Sequence, residues 1–184
     1  MDLDKISDYI FNWMLKDIKR EIEIAKSGKD AGNVLCALGL MAYTEFMGSL
    51  MPSNENVKYS SQIFNEFLRY MGKEYSDLLD VKKINVYDHF RCGLAHEYFI
   101  KNTCTIAMLN STEGKLKVEG NPIEEIEKPV NCGIIVASNG NYLMVVEKYY
   151  DDLFSACERL IKNLRDKDKK WSPPKFFSYT SDSG

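Results

Sequence analysis

Val34-Leu35-Cys36-Ala37-Leu38-Gly39-Leu40-Met41-Ala42-Tyr43 runs for ten residues without a charge. Extending it to Met51 takes in a single charge, Glu45, and Asn33 closes the other end. The stretch is short for a membrane span, which needs about 20 apolar residues. It predicts a helix over residues 31–50, apolar over most of its surface and buried at the centre of a helical bundle. Met51-Pro52-Ser53-Asn54 breaks it.

Working outward, residues 3–26 place Leu3, Ile6, Ile10, Met14, Ile18, Ile22 and Ala25 at spacings of three and four, an amphipathic helix that Gly28 can stop. Residues 58–71 repeat the pattern with Ile63/Phe64, Phe67/Leu68 and Met71, and Gly72 ends it. A fourth helix is expected from Ser76, a fitting N-cap, to about Ile100, with Ile84, Tyr87, Arg91, Leu94 and Tyr98 on one stripe. The period then changes. Thr103–Leu109, Leu116–Val118 and Ile134–Ala137 are β-branched and apolar, and Asn139-Gly140 stands between two apolar runs, a strong hairpin signal. Residues 103–146 therefore read as a small antiparallel sheet of about four strands inserted between helices, with Pro122 and Pro129 in its long middle loop. Helical period returns from Val146 to Leu164. The expected fold is mainly α: an antiparallel bundle of about five helices with a β-hairpin or sheet insertion near 103–146. Residues 1–170 form one domain, and residues 171–184, with Pro173-Pro174, form an extended or disordered tail.

The chain has 184 residues, of which 45% are apolar and 28% charged, with 24 basic and 27 acidic residues for a net charge of −3. That excludes a wholly disordered or collagen-like chain and argues against a protein that coats nucleic acid broadly. The charge is uneven. Residues 159–175 carry seven basic side chains against Asp166 and Asp168, a local +5 that leaves −8 elsewhere. This is either an RNA-facing patch or a solvated helix end. The N-terminal residues hold charges every few positions and no apolar h-region, unlike a signal peptide. Cys36, Cys92, Cys104, Cys132 and Cys157 are odd in number and form no CxxC pair, which fits free thiols in the cytoplasm. No phosphate-cradling glycine loop or paired-carboxylate pattern occurs, and no cofactor is expected.

The two histidines of the chain fall in Tyr87-Asp88-His89-Phe90-Arg91-Cys92-Gly93-Leu94-Ala95-His96-Glu97-Tyr98. An Arg and a His on a largely apolar helix are costly to desolvate and call for a reason. His89, Cys92 and His96 lie at i, i+3 and i+7. Adjacent pairs suit a metal, but His89 and His96 are about 10.5 Å apart along an α-helix, so no metal site is expected. On an α-helix the five residues from Arg91 to His96 turn through about 500°, leaving the two about 140° apart and about 7.5 Å along the axis. One chain makes a poor compact site from them. Two such helices crossing about a two-fold axis can bring both into one cleft.

Arg91-(x4)-His96 resembles the Rx4–6H signature of the HEPN superfamily of helical domains, many of which are ribonucleases. With Tyr98 the pattern resembles the RX4HXY motif of HEPN toxins paired with nucleotidyltransferase antitoxins. The resemblance implies a homodimer with a composite site and metal-independent RNA cleavage. In that reading Arg91 holds the phosphate, and His96 acts as general base or acid. Tyr98 contacts substrate or is modified by the antitoxin, and Asp88, His89 and Cys92 stand beside the site. Departures from the family are Cys92, where nuclease members often carry a polar residue, and the β insertion. Two other readings stay open. One is a non-catalytic HEPN-like module that binds nucleotide, RNA or protein. The other is a structural dimer in which Arg91 pairs with Glu45 or Asp88 and fixes helix packing.

Overall fold

The computed structural model describes residues 2–27, 33–54, 57, 59–97, 104–109, 116–117, 131–136 and 140–166. Tyr98, the loop holding Pro122 and Pro129, and the tail 171–184 lie outside the described residues.

The first amphipathic stretch folds as α1 (Leu3–Asp8) and α2 (Leu15–Lys26), joined by a π-wound segment, Tyr9–Met14. Asp2 caps its start by accepting the Lys5 N–H at 2.8 Å. Ile6, Ile10, Met14, Ile18 and Ile22 are buried, as their spacing requires. The uncharged stretch becomes α3 (Asn33–Ser49). It is not enclosed on all sides. Cys36, Ala37, Leu40, Met41, Thr44 and Met47 face the interior, while Leu35 and Ala42 are exposed on the opposite stripe.

Helix α4 (Ser60–Met71) lies against α3 so closely that a Cβ on Gly48 would sit 2.2 Å from the Ile63 carbonyl oxygen. Helix α5 (Lys73–Asp80) follows at once. The helix expected from Ser76 to Ile100 is thus two elements. Ser76 does not cap it but bonds the Gly72 and Arg69 carbonyls, each at 3.3 Å. The break is made by Lys83, whose φ of 56° is left-handed, and by the Ile84 N–H turning back to the Leu78 carbonyl at 2.9 Å. A second π-wound segment, Tyr87–Glu97, then begins. Asn85 caps it, its side-chain oxygen accepting the Asp88 N–H at 3.1 Å.

The insertion is a four-stranded sheet of order β2-β1-β4-β3, made of β1 (Cys104–Leu109), β2 (Leu116–Lys117), β3 (Ile134–Val136) and β4 (Tyr142–Val145). The expected hairpin partners do pair: β3 and β4 run antiparallel with Val136 opposite Tyr142, and Gly140 takes φ +82°, while Asn139 lies outside the described residues. The expectation of a wholly antiparallel sheet is corrected at its centre. β1 and β4 run parallel, Cys104 opposite Tyr142 and Ala107 opposite Val145, so the sheet is mixed. A hairpin can only join antiparallel neighbours, and β1 and β4 are separated by the whole insertion.

β4 leads directly into α6 (Val146–Asp166). Early residues of one helix meet late residues of the next: Tyr9 meets Phe46, Ile18 lies at Gly39, Phe11 meets Phe154 and Asp4 pairs with Arg165. This is the antiparallel bundle. One cluster of buried side chains joins the helices to Ile106, Ile134 and Met144 of the sheet. The junction is polar at its heart. The Tyr75 hydroxyl donates to Asp152 at 2.8 Å and accepts the Gly133 N–H at 3.0 Å, Lys148 also bonds Asp152, and Thr44 and Tyr149 share a buried 2.8 Å bond. Among the described residues no helix is long and apolar enough to cross a membrane.

Candidate functional site

Arg91 and Glu45 meet. The Arg91 Nε–H donates to Glu45 Oε2 at 2.7 Å, with the two side chains 23% and 21% exposed. The charge that interrupts α3 thus finds the cation that interrupts the second π segment. Each lowers the cost of desolvating the other. Tyr87, one turn before Arg91, lies beneath the guanidinium, its ring centroid 5.9 Å from Cζ, and is itself packed edge-on against Phe64 at 5.4 Å. Burial, and after it the Glu45 charge, pushes the Tyr87 hydroxyl above its ordinary range. Arg91 is therefore gripped between a carboxylate and an aromatic face. Tyr87 falls outside the Arg–His motif, but its place four residues before Arg91 is a signal the sequence carries.

The pair forms part of the wall of an open groove of about 370 Å³, completed by Ala42, Phe46, Ser49 and Ile63. The groove is mostly apolar, with the ion pair and Ser49 as its polar elements. The bond to Glu45 uses one of the five N–H donors of a guanidinium.

His96 is exposed. Its relation to Arg91 differs from the one an α-helix dictates. In a π-helix the N–H bonds the carbonyl five residues back. Residues five apart, as Arg91 and His96 are, are then turned less far from one another around the axis than on an α-helix. The expected separation around the axis is therefore reduced. π-winding is rare and concentrates at functional sites.

Of the neighbouring candidates, Asp88 and Cys92 are half-buried. His89 packs its ring against Tyr142 at 5.3 Å, which ties the segment to β4, and its buried Nδ1 has no hydrogen-bond partner among the described residues. Among the described residues no group of three His, Cys, Asp or Glu side chains is placed to hold a metal ion. All five cysteines are free thiols. Burial pushes Cys36 and Cys132 up to about 11 and raises Cys157 further. The basic run is partly committed to structure. Arg159 donates to the Tyr70 and Met71 carbonyls at 3.2 and 3.0 Å, closing the end of α4, and Arg165 bonds Asp4 at 3.0 Å. Lys162 is exposed, and Lys167–Lys175 lie outside the described residues.

No family model, curated protein or solved structure matches the chain.

Proposed function

We propose that this chain is a HEPN-like, metal-independent endoribonuclease that works as a homodimer, Arg91 of one protomer and His96 of the other completing each site. The observation that carries this reading is that the π-wound segment holds Arg91 in the wall of an open groove while leaving His96 exposed a π-turn later. The chemistry needs both. His96 takes the proton of a ribose 2′-hydroxyl as its oxygen attacks the adjacent phosphorus. The bond to the 5′-oxygen breaks, and that oxygen leaves with a proton supplied by the imidazolium that His96 has become. Arg91 holds the non-bridging oxygens as charge builds on them. Cytoplasmic location, RNA as partner, a toxin or defence role and a nucleotidyltransferase antitoxin acting on Tyr98 belong to the same proposal.

The test is RNA incubated with excess EDTA and wild-type protein, Arg91→Ala, His96→Ala, or the two variants mixed. Cleavage by wild type, its loss in each variant and its partial return in the mixture are expected. Intact RNA with wild type, or equal cleavage by the variants, overturns the reading.

The Glu45 bond favours a second reading, a non-catalytic dimeric module in which Arg91 fixes packing. RNA binding without cleavage, retained in His96→Ala, is its signature.

A further inference from the structure

A helix that is apolar over most of its surface is normally covered over most of it. Helix α3 is not. Leu35, 58% exposed, and Ala42, two turns on, line an open stripe. The surface continues onto the first π segment, where Tyr9 meets Phe46 edge-on at 6.3 Å and is 50% exposed, and Trp13 is 62% exposed. At about 150–250 Å² for each aromatic side chain, Tyr9, Trp13 and Leu35 leave roughly 300 Å² of apolar surface in water. A stable dimer buries about 800 Å² per partner. The patch is too small for that and the right size for a few side chains on a tethered strand.

We propose that Trp171–Tyr179 of this same chain docks on the face formed by Tyr9, Trp13 and Leu35. Three observations support that occupant. Arg165, in the last turn of α6, bonds Asp4 at 3.0 Å, so the chain leaves the bundle beside the helix that carries Tyr9 and Trp13. Tyr179 is thirteen residues beyond Asp166, a reach of about 45 Å, whereas Trp13 lies about 14 Å along the axis from Asp4. The chemistry is complementary. The segment supplies Trp171, Phe176, Phe177 and Tyr179, and Pro173-Pro174 favours the extended backbone that lies in a shallow groove. This does not depend on the nuclease reading.

The test uses the full chain with Trp13→Phe, which leaves Trp171 as the sole tryptophan. Trp171 emission is expected to be blue-shifted and several-fold less quenched by iodide than a free tryptophan amide, equally at low and high protein concentration. Adding Tyr9→Ser and Leu35→Ser, both at exposed positions, is expected to abolish the shift with the far-UV circular dichroism unchanged. Emission typical of free tryptophan overturns the proposal. So does protection that ignores Tyr9 and Leu35. Protection that appears only as concentration rises assigns the face to a second copy and overturns it as well.

Discussion

Glu45 and Arg91, which lie 46 positions apart, are joined by a 2.7 Å bond from Nε to Oε2 that links α3 to the second π segment. The two side chains are about three-quarters buried, so removing either leaves a charge poorly solvated. Glu45→Ala and Arg91→Ala are each expected to lose about 1–3 kcal/mol of stability, with a coupling of about 1 kcal/mol in the double-mutant cycle measured by urea unfolding. Additive losses would show that the pair contributes through packing alone.

His96 is exposed. His96→Ala is expected to unfold within about 0.5 kcal/mol of wild type. On the proposed nuclease reading it is expected to lose about 10²–10⁴-fold in RNA cleavage rate. The separation of those two effects distinguishes a chemical role from a structural one, and parallel melting and RNA-cleavage assays measure it.

Gly133, the residue before β3, packs directly on α6. A Cβ there would lie 2.4 Å from the Tyr149 Cα. Because the obstacle is backbone, Gly133→Ala is expected to destabilise by about 1–3 kcal/mol through overpacking. A melting temperature equal to wild type would mean that the junction yields without cost.

Tyr75→Phe removes the hydroxyl that serves both Asp152 and the Gly133 N–H. The expected loss is about 0.5–1.5 kcal/mol, since the Gly133 N–H keeps a 3.3 Å bond to Asp152 and Lys148 keeps its bond to Asp152. The amide exchange of Gly133 should rise more than that of α3. Uniform change across the chain would argue against a local latch.

Alkaline pH should destabilise the fold. Cys36 and Cys132 have folded pKa values of about 11 against an ordinary 9.0. Between those values the unfolded thiols have lost protons that the folded ones retain, so stability is full below pH 9 and falls as pH rises towards 11. Each unit of difference corresponds to at most about 1.4 kcal/mol per thiol. Urea midpoints at pH 8, 9 and 10.5 measure the effect. At pH 8 a thiol reagent should modify half-buried Cys92 and Cys104 well before Cys36, Cys132 and Cys157.

The parts of this fold that were legible in the sequence are those with local causes. The isoleucine spacing of residues 6–22, the uncharged run of α3 and the Asn139-Gly140 turn each specify their element within a few residues. Glu45 was legible as an Arg91 partner because a lone carboxylate on an apolar helix needs one. The parallel pairing of β1 with β4 has no local cause. Neither has the break near Lys83, where no glycine or proline stands. The π-winding, which brings Arg91 and His96 closer together around the axis, has no local marker in Tyr87–Glu97. The exposed stripe of α3 was missed because apolar composition reports what a helix needs, not how much of it the rest of the chain covers.

The parallel register of β1 and β4 also orders the events of folding. Most helix contacts here join neighbours in sequence, and such contacts form fast. Cys104 can meet Tyr142 only after the entire intervening segment has been looped out, which costs closure entropy before any contact rewards it. Because β4 continues without a break into α6, the last helix can dock through Leu153, Cys157 and Leu160 while its first turn waits for the sheet. The chain is thus expected to pass through a bundle-first state, with the sheet and the Tyr75–Asp152 latch closing in the slowest step.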